Sequence, residues 1–357
     1  MQKPRYCLVP TGLSIPFIGI FVMHRGSRRS RPGEASLSIP FIGIFVMHPT
    51  LFWVPFGLFG PVFLAAWRGP PDYPLAAICF IKIIEKLWVA MYFLSDVEQK
   101  YLLYQLLPTA RERGVSRELR GWSWHQPPLR PYYEDLRLPM YAVASKYCPT
   151  DRDVYLRFVE GENPVPNVKV ALGKVLHGVV SDSLQAFILR RRMSFEDWWR
   201  GIRWGEIPAR PEEVRMPAQR VWDFIVKMCE ARLADVSSRQ PYASEWDRVA
   251  SAIPFLIEHK ISGELLGLSG ILSLDCYDYL RSIMFDLKVA SEPEDWHRLS
   301  PVGYALVFES VHEVPVDICC IVYLNLMGEK IVVKKDLFFA SDELRQWWIE
   351  ERVGSWR

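Results

Sequence analysis

The sequence predicts a mixed α/β fold, in which a central mixed sheet is flanked by helices, together with an added helical region. Three observations indicate this fold class. Residues 171–192 repeat apolar side chains at the spacing of an amphipathic helix. Residues 271–277 and 283–289 are rich in β-branched and aromatic side chains and flank a short polar break, as the strands of a hairpin do. Residues 316–324, VDICCIVYL, are a further apolar strand candidate.

The composition limits the classes of function. The chain has 357 residues, half of them apolar, so it can bury a sizeable core in about two or three domains. Its formal net charge of +2 is not that of a strongly basic nucleic-acid-binding domain, so any grip on DNA must come from local patches. Seven cysteines without a CxxC pair argue against a disulfide framework and favour a reduced, cytoplasmic setting.

The first ninety residues differ from the rest of the chain. Residues 13–24 and 37–48 share the identical sequence LSIPFIGIFVMH, whereas the polar, basic residues 25–36 between them resemble neither copy. Structural repeats keep their buried positions and let surface positions drift over about three or more copies, which is not the pattern here. We therefore expect residues 1–90 to be translated repetitive DNA and not a native domain, with Met91 as the natural start.

A membrane anchor is the alternative interpretation of this region. Residues 37–67 contain no charge candidate apart from His48, so a window of about 20 apolar residues can be drawn there. Against this, a lipid-exposed helix needs uninterrupted backbone hydrogen bonding, which prolines would break at positions Pro40, Pro49, Pro55 and Pro61. The sequence therefore favours a protein without a membrane segment.

Residues 91–147 are predicted to form a helix followed by a proline-rich, aromatic arm. Ser95 and Asp96 are helix-cap candidates, Glu98 follows them, and apolar residues continue at helical spacing. Prolines in residues 120–139 forbid a regular helix and favour an extended arm. Its aromatic side chains lie among arginines and suit two roles, stacking on single-stranded DNA or packing over the core.

A family resemblance is carried by three runs in order: RELRGWSWHQPPLRPYY at 117–133, SKYCPTDRDVYLRFV at 145–159 and VALGKVLHGVV at 170–180. Together they resemble the archaeal, type I-A branch of the CRISPR-associated RecB-like exonucleases, over about residues 91–357. The resemblance implies a RecB-like PD-(D/E)xK nuclease core over residues 148–357. The N-terminal repeat fits this setting, because 12 residues recurring every 24 correspond to 36 nucleotides in a 72-nucleotide unit, the dimensions of a CRISPR repeat and spacer.

The first motif is Gly173-x-x-x-His177, on a predicted helix whose buried face runs from Val175 to Phe187. By the resemblance, His177 is similar to a metal ligand of the nuclease site. Without the resemblance, a single helix histidine is more often a packing or surface residue.

The second motif lies on the predicted hairpin. Asp286 and Lys288 are two residues apart on a strand, so their side chains emerge on one face, with Phe285, Leu287 and Val289 on the other. With an aspartate on the preceding strand, this D-x-K resembles the PD-(D/E)xK signature. Such carboxylates suit Mg²⁺ or Mn²⁺, whose chemistry includes polarising a phosphate and activating water. The lysine orients the attacking water or offsets charge developing on the phosphate.

Two aspartates compete for the acidic position on the preceding strand. Asp275 leaves several strand residues before the turn and fits the family spacing better, whereas Asp278 lies almost at the turn. We therefore favour Asp275 and keep Asp278 as the alternative. His297 and Tyr304 are seven apart on a predicted helix, which aligns them after two turns. The resemblance places them near DNA or the metal, with Tyr304 as a catalytic candidate; equally, Tyr304 belongs to the core and His297 caps or packs.

The resemblance also implies a 4Fe-4S cluster held by one cysteine before the first motif and by three near the C-terminus. Cys148 matches the first ligand, but no cysteine follows Cys320, so the three C-terminal ligands are absent. We expect that the chain as given is truncated at its C-terminus or lacks the cluster, and cannot close a four-cysteine site. Cys319 and Cys320 are more simply strand residues that point to opposite faces.

The resulting expectation is a metal-dependent DNA exonuclease that trims single-stranded ends or overhangs of prespacers during CRISPR spacer acquisition. Its partners would be DNA, the CRISPR integrase and other adaptation proteins. The alternative is a non-catalytic subunit that binds DNA or scaffolds the adaptation complex. Cleavage that is lost on addition of a chelator indicates the enzyme, and DNA binding without cleavage indicates the scaffold.

Overall fold

The computed structural model divides the chain into two units, Met1–Tyr73 and Pro74–Arg357. It describes strands at 20–21 and 43–44 and, from Met91 on, residues 91–133, 137–146, 148, 150–162, 168–204, 211–289 and 292–355. The first unit contributes two short antiparallel strands, β1 (Ile20–Phe21) and β2 (Gly43–Ile44). The expectation of translated repeat DNA and the anchor alternative both concern residues 1–90, which otherwise lie outside the described residues. Within the described part, no helix combines the length and apolar character needed to cross a membrane.

A five-stranded mixed sheet forms the centre of the second unit. Its strands are β3 (Phe255–Ile261), β4 (Leu272–Asp278), β5 (Ile283–Val289), β6 (Ile318–Met327) and β7 (Lys330–Phe339). They lie side by side in chain order, and every neighbouring pair is antiparallel except β5 and β6, which are parallel. The predicted mixed α/β class, the hairpin and the later apolar strand are confirmed.

Helices cover the sheet and extend before it. In chain order they are α1 (Asp96–Tyr101), α2 (Leu107–Arg113), α3 (Met140–Ala144), α4 (Arg152–Phe158), α5 (Val168–Ile188), α6 (Phe195–Arg200), α7 (Pro211–Arg239), α8 (Glu245–Ala252), α9 (Leu299–His312) and α10 (Asp342–Ser355). The α9 helix crosses between the parallel strands β5 and β6. A parallel pair needs such a crossover, because a tight turn cannot join it.

The first helix begins as its sequence predicts. Ser95 is the N-cap; its Oγ accepts the Glu98 backbone N–H at 3.3 Å, and the Glu98 carboxylate accepts the Ser95 N–H at 2.7 Å. This reciprocal capping box satisfies two N–H groups that the first turn leaves without helical partners. A π-helical turn over Leu102–Leu106 continues α1 into α2.

Apolar side chains on the two faces of the sheet form two cores. One core lies under α5 and α7 and includes residues 91–94; the other lies under α9, α10 and the arm. The predicted buried face of α5 is confirmed, because Val175, Leu176, Val179, Val180 and Leu184 are all buried. Cys319 and Cys320 point into opposite cores, as predicted for neighbours on a strand.

The arm packs over the second core through Leu119, Leu129 and Leu138. Short 3-10 turns form over Arg117–Leu119, before the arm, and over Gly121–Ser123, within it. The prediction of an extended arm is wrong for residues 121–130, where turns continue past the prolines. Proline lacks only its own N–H, so the Arg130 N–H can still donate to the Gln126 carbonyl across Pro127 and Pro128. At Gly121 the arm approaches α9 so closely that a Cβ would collide with a backbone carbonyl of that helix.

Glu309 of α9 fastens the arm to the second core. Its fully buried carboxylate accepts hydrogen bonds from Arg120, from both terminal nitrogens of Arg345, and from the backbone amides of Gly121 and Val316, at 2.8–3.0 Å. Burying a carboxylate is costly unless it is paired and hydrogen-bonded, and here it is both. One side chain thus ties together the arm, α9 and α10.

Candidate active site

The site begins where β4 and β5 separate. Their ladder pairs Cys276 to Asp278 with Ile283 to Phe285 and ends there. Beyond it, the Leu287 N–H donates to the Asp275 carboxylate at 2.8 Å instead of to a strand carbonyl. The carboxylate of Asp275 therefore replaces a ladder hydrogen bond and lies in the gap between the two strands.

Asp286 and Lys288 lie on one face of β5, as the strand period predicts. Phe285 and Leu287 are buried on the opposite face. The Asp286 Oδ1 accepts the Ser300 hydroxyl at 2.6 Å. Its Oδ2 is buried and lies 2.8 Å from the Lys288 Nζ in an ion pair. Ser300 of α9 thus holds one carboxylate oxygen, and the Lys288 ammonium neutralises the other.

His177 reaches the same place from α5. Its Nδ1 lies 4.0 Å from the Asp275 Oδ2, and about a third of its side chain is exposed. The structure thus brings the histidine of the first motif beside the hairpin aspartate, although they are far apart in sequence. At this distance the two groups interact through charge and make no direct hydrogen bond.

Charge is concentrated around Asp275. Burial raises the pKa of Asp275 to about 6, although 19% of its side chain remains exposed; Asp286 raises it as well, whereas His177, the Leu287 amide and Lys288 lower it. Two neighbouring carboxylates oppose each other's ionisation, and nearby cations relieve this. An additional cation would therefore stabilise the charged form of the pair.

The structure separates the two competing aspartates. Asp278 accepts the backbone N–H groups of Leu280 and Arg281 at 2.9 and 3.1 Å and forms an ion pair with the Arg281 side chain at 2.8 Å. These contacts close the β4–β5 turn. Asp275, in contrast, lies near His177 and Lys288, so the geometry supports the preference for Asp275.

Tyr304 lies on α9 and is partly buried. Its pKa is raised by burial and then by the negative charges of Asp275, Asp286 and Glu258. His297 does not share this helix, so the prediction of one helix for both residues is wrong. It belongs to a 3-10 turn, Asp295–Arg298, that precedes α9. Pro301 explains this, because proline has no N–H to bond the carbonyl four residues earlier and is tolerated only in a first turn.

His297 is buried, and its Nδ1 contacts the Tyr323 hydroxyl at 3.1 Å and the Glu294 backbone amide at 3.3 Å. Burial, followed by the charge of Lys288, lowers the pKa of His297 to about 4. Its contacts are those of a neutral packing residue, as the structural alternative predicts.

Within the described residues, no three His, Cys, Asp or Glu side chains form a complete metal-binding group. The donors nevertheless suit a hard divalent cation, because the buried Asp286 Oδ2 accepts nothing beyond its ion pair with Lys288, and Asp275 and His177 lie close by. The set fits a cation held partly by water, as Mg²⁺ usually is.

Comparison with known proteins gives the family. The family model described as CRISPR-associated exonuclease Csa1 matches residues 91–355. The chain belongs to the Csa1 family. It is 27% identical over 247 residues to the CRISPR-associated exonuclease Csa1 of Saccharolobus solfataricus, which covers 67% of this chain and 83% of the relative. It is also 27% identical over 260 residues to the protein of that name from Thermoproteus tenax, covering 72% and 88%.

Membership of the Csa1 family confirms the predicted relationship to CRISPR-associated exonucleases. The family name supports nuclease activity for this chain. The chain that carries this site therefore belongs to a family named as exonucleases, enzymes that remove nucleotides from ends.

Cys148 of this Csa1 chain lies between α3 and α4. Its Sγ is 3.3 Å from the Thr150 hydroxyl, and that hydrogen bond lowers the pKa of the thiol. The other cysteines among the described residues, Cys229, Cys276, Cys319 and Cys320, are buried within the cores. Cys148 matches the first ligand of the cluster that the resemblance implies, and the expectation that this chain cannot close a four-cysteine site stays a prediction.

Sequence reasoning missed Glu258 and Ser300. Glu258 lies on β3 at the register position opposite Asp275, with a left-handed φ of 50° in the middle of the strand. Ser300 holds Asp286 from α9. A signal for Glu258 was present, since it is an acidic residue within the apolar run FLIEHKI. Ser300 had none, because serine in the first turn of a helix is commonplace.

Proposed function

We propose that this Csa1 chain is a metal-dependent exonuclease that hydrolyses phosphodiester bonds at DNA ends, built on a RecB-like PD-(D/E)xK core. The single observation that carries the proposal is the meeting of Asp275, Asp286 and Lys288 where β4 and β5 separate, with His177 facing them. The mixed sheet supports the core assignment, since D-x-K lies on a central strand and its acidic partner lies on the antiparallel neighbour.

The proposed reaction requires a divalent cation. Asp275, Asp286 and His177 would hold Mg²⁺ or Mn²⁺, which supplies polarisation of the phosphate and a more acidic water. Cation binding would also relieve the repulsion that raises the pKa of Asp275.

The remaining groups position the two carboxylates and stabilise the charge on the phosphate. The Leu287 amide fixes Asp275, and Ser300 fixes Asp286, so neither carboxylate needs to reorient when DNA binds. The Lys288 Nζ lies 2.8 Å from Asp286 Oδ2 and is suited to orient water or to offset charge on the phosphate. The hydroxyl of Tyr304 stays neutral because burial and the nearby negative charges raise its pKa, so it can donate a hydrogen bond to a phosphate oxygen.

We assign the biological role to prespacer trimming during CRISPR spacer acquisition, with single-stranded ends or overhangs as substrate. The CRISPR association of the Csa1 family supports this setting. The integrase and other adaptation proteins are the partners that such a role requires.

The test uses the full chain with a linear single-stranded oligonucleotide and a covalently closed circle of the same sequence, with Mg²⁺ or Mn²⁺ and then with EDTA. We expect the linear strand to be degraded, the circle to persist and EDTA to stop the reaction. Lys288→Ala should lower the rate at least about 100-fold. Lys227→Ala, which removes an exposed lysine of α7, is the matched control and should cleave normally.

A second candidate is a non-catalytic subunit that binds DNA or scaffolds the adaptation complex. The absence of a complete three-ligand metal group within the described residues favours it. Retention of DNA on the wild-type chain without cleavage, at every Mg²⁺ or Mn²⁺ concentration, would select the scaffold and reject the nuclease.

A further inference from the structure

The β3 strand bends at Glu258. Phe255 and Ile257 pack into the core under α5 and α7, whereas Ile261 packs into the opposite core. Regular alternation would place these three odd-numbered residues on one face. The change of face occurs across Glu258, whose φ of 50° is left-handed, a conformation that non-glycine residues seldom adopt.

The partner strand changes face at the same level. On β4, Leu272 and Leu274 pack into the core under α9, whereas Cys276 packs into the other core. The register of the two strands places Asp275 opposite Glu258. The bend therefore coincides with the acidic residue at the centre of the candidate site.

Gln185 of α5 contacts the bend directly. Its side-chain Nε2 donates to the Ile257 carbonyl at 3.1 Å. That carbonyl belongs to the peptide unit immediately before Glu258. Gln185 lies eight residues after His177, about two turns along the same helix. One helix therefore supplies both the histidine beside Asp275 and an amide that holds the strand opposite it.

The Glu258 carboxylate is held by its two strands. It accepts the Ser273 hydroxyl of β4, and the Lys260 Nζ lies 3.8 Å from it. Its negative charge contributes, after burial and other carboxylates, to the raised pKa of Tyr304 and Tyr92. Glu258 therefore adds a negative charge on the strand opposite Asp275.

We propose that Gln185 is a positioning residue of the nuclease site: its amide holds the Ile257 carbonyl and thereby keeps the strand bent at Glu258, opposite Asp275 in the strand register. This rests on the proposed function. A non-glycine residue in the left-handed region persists only when its surroundings hold it there. Without Gln185, the strand can relax to extended geometry, in which alternation turns residue 258 away from its present direction.

The test compares Gln185→Leu and Gln185→Glu, neither of which can donate to the Ile257 carbonyl, with Glu258→Gln and with the Gln185→Leu/Glu258→Gln double variant. Gln346→Leu is the matched control, because this partly buried glutamine of α10 donates to Glu350 in an exposed hydrogen bond away from the site residues. We expect Gln185→Leu to lower kcat about 10-fold with KM for the oligonucleotide within about twofold. The double variant should lose no more than Glu258→Gln alone, because Gln185 acts through Glu258.

If the substitutions only damage the structure, the results should differ from those expected for a positioning role. Losses that multiply in the double variant, or a Gln185→Glu variant that cleaves like wild type, would overturn the positioning role. A crystal structure of Gln185→Leu in which residue 258 keeps its left-handed conformation would also overturn it, and it needs no activity. If the wild-type chain shows no metal-dependent cleavage, the proposed function fails, whereas the crystal structure still decides whether Gln185 holds the bend.

Discussion

Replacing Glu309 with glutamine should weaken the second core far more than a surface substitution of the same kind. The change keeps the size of the side chain and removes its charge. The Glu309 Oε1 accepts three hydrogen bonds, from Arg120, Arg345 and Val316, and the Oε2 accepts two, from Gly121 and Arg345. Whichever oxygen becomes the amide, at least two buried donors lose their acceptor.

The size of the loss follows from these contacts. Each buried donor left unsatisfied costs about 1–3 kcal/mol, and breaking a buried ion pair costs about 3–5 kcal/mol, so we expect a loss of about 4 kcal/mol in the free energy of unfolding. At about 2–4 °C per kcal/mol for a domain of this order of size, the thermal midpoint should fall by about 10 °C.

Urea and thermal unfolding at neutral pH measure the effect, with Glu196→Gln as the control, because Glu196 forms an exposed pair with Arg215. The charge of Arg345 and the hydrogen bonds to it lower the pKa of Glu309 against the opposing effect of burial. Its contribution is therefore present above the unfolded pKa and is lost as pH falls through the folded pKa. The difference in free energy of unfolding between wild type and Glu309→Gln should therefore narrow as pH falls below about 4.5. If Glu309→Gln and Glu196→Gln lowered the unfolding midpoint equally at neutral pH, this reasoning would be refuted.

Three further predictions concern the site and its surroundings. Asp275→Asn should abolish cleavage while the chain remains folded, whereas Asp278→Asn should keep cleavage and lower the unfolding midpoint; the reverse pattern would move the acidic ligand to the turn. Burial lowers the pKa of His297 from 6.5 in the unfolded chain to about 4 in the folded chain. Between these two pH values the unfolded chain binds more protons than the folded chain. The free energy of unfolding should therefore decrease as pH falls through this window, by about 3 kcal/mol in total. His297→Gln should remove that decrease, and a variant whose free energy of unfolding falls between pH 6.5 and 4 as in wild type would contradict it. Anaerobically purified protein should lack stoichiometric iron, since the other cysteines described besides Cys148 are buried; a four-cysteine cluster signal would disprove this.

The fold was predictable where the spacing of apolar residues and the types of the polar residues indicated the same element. The capping box at Ser95 and Glu98, the buried face of α5 and the D-x-K strand all follow from patterns within one element. The helix proposed to carry both His297 and Tyr304 failed because spacing alone ignored Pro301. The proline was visible in the sequence, and its effect on the first turn should have shortened the helix.

The site was less predictable because its decisive contacts cross elements. Nothing near Asp275 in the sequence indicates that its carboxylate takes the place of a strand carbonyl for the Leu287 amide. The same holds for the hydroxyl that Ser300 donates to Asp286 from another element. The residue types could be chosen from the sequence, but their orientation depends on where two strands separate.

Glu258 shows why alternation fails where function is concentrated. Period-two reasoning assumes that every strand residue is extended, and a left-handed residue breaks that assumption without a glycine to mark it. The strained conformation is maintained by a contact from α5, which also carries His177. Because β3 and β4 keep one register, the residue that breaks the alternation of β3 changes the faces of both strands, and it does so at the level of Asp275.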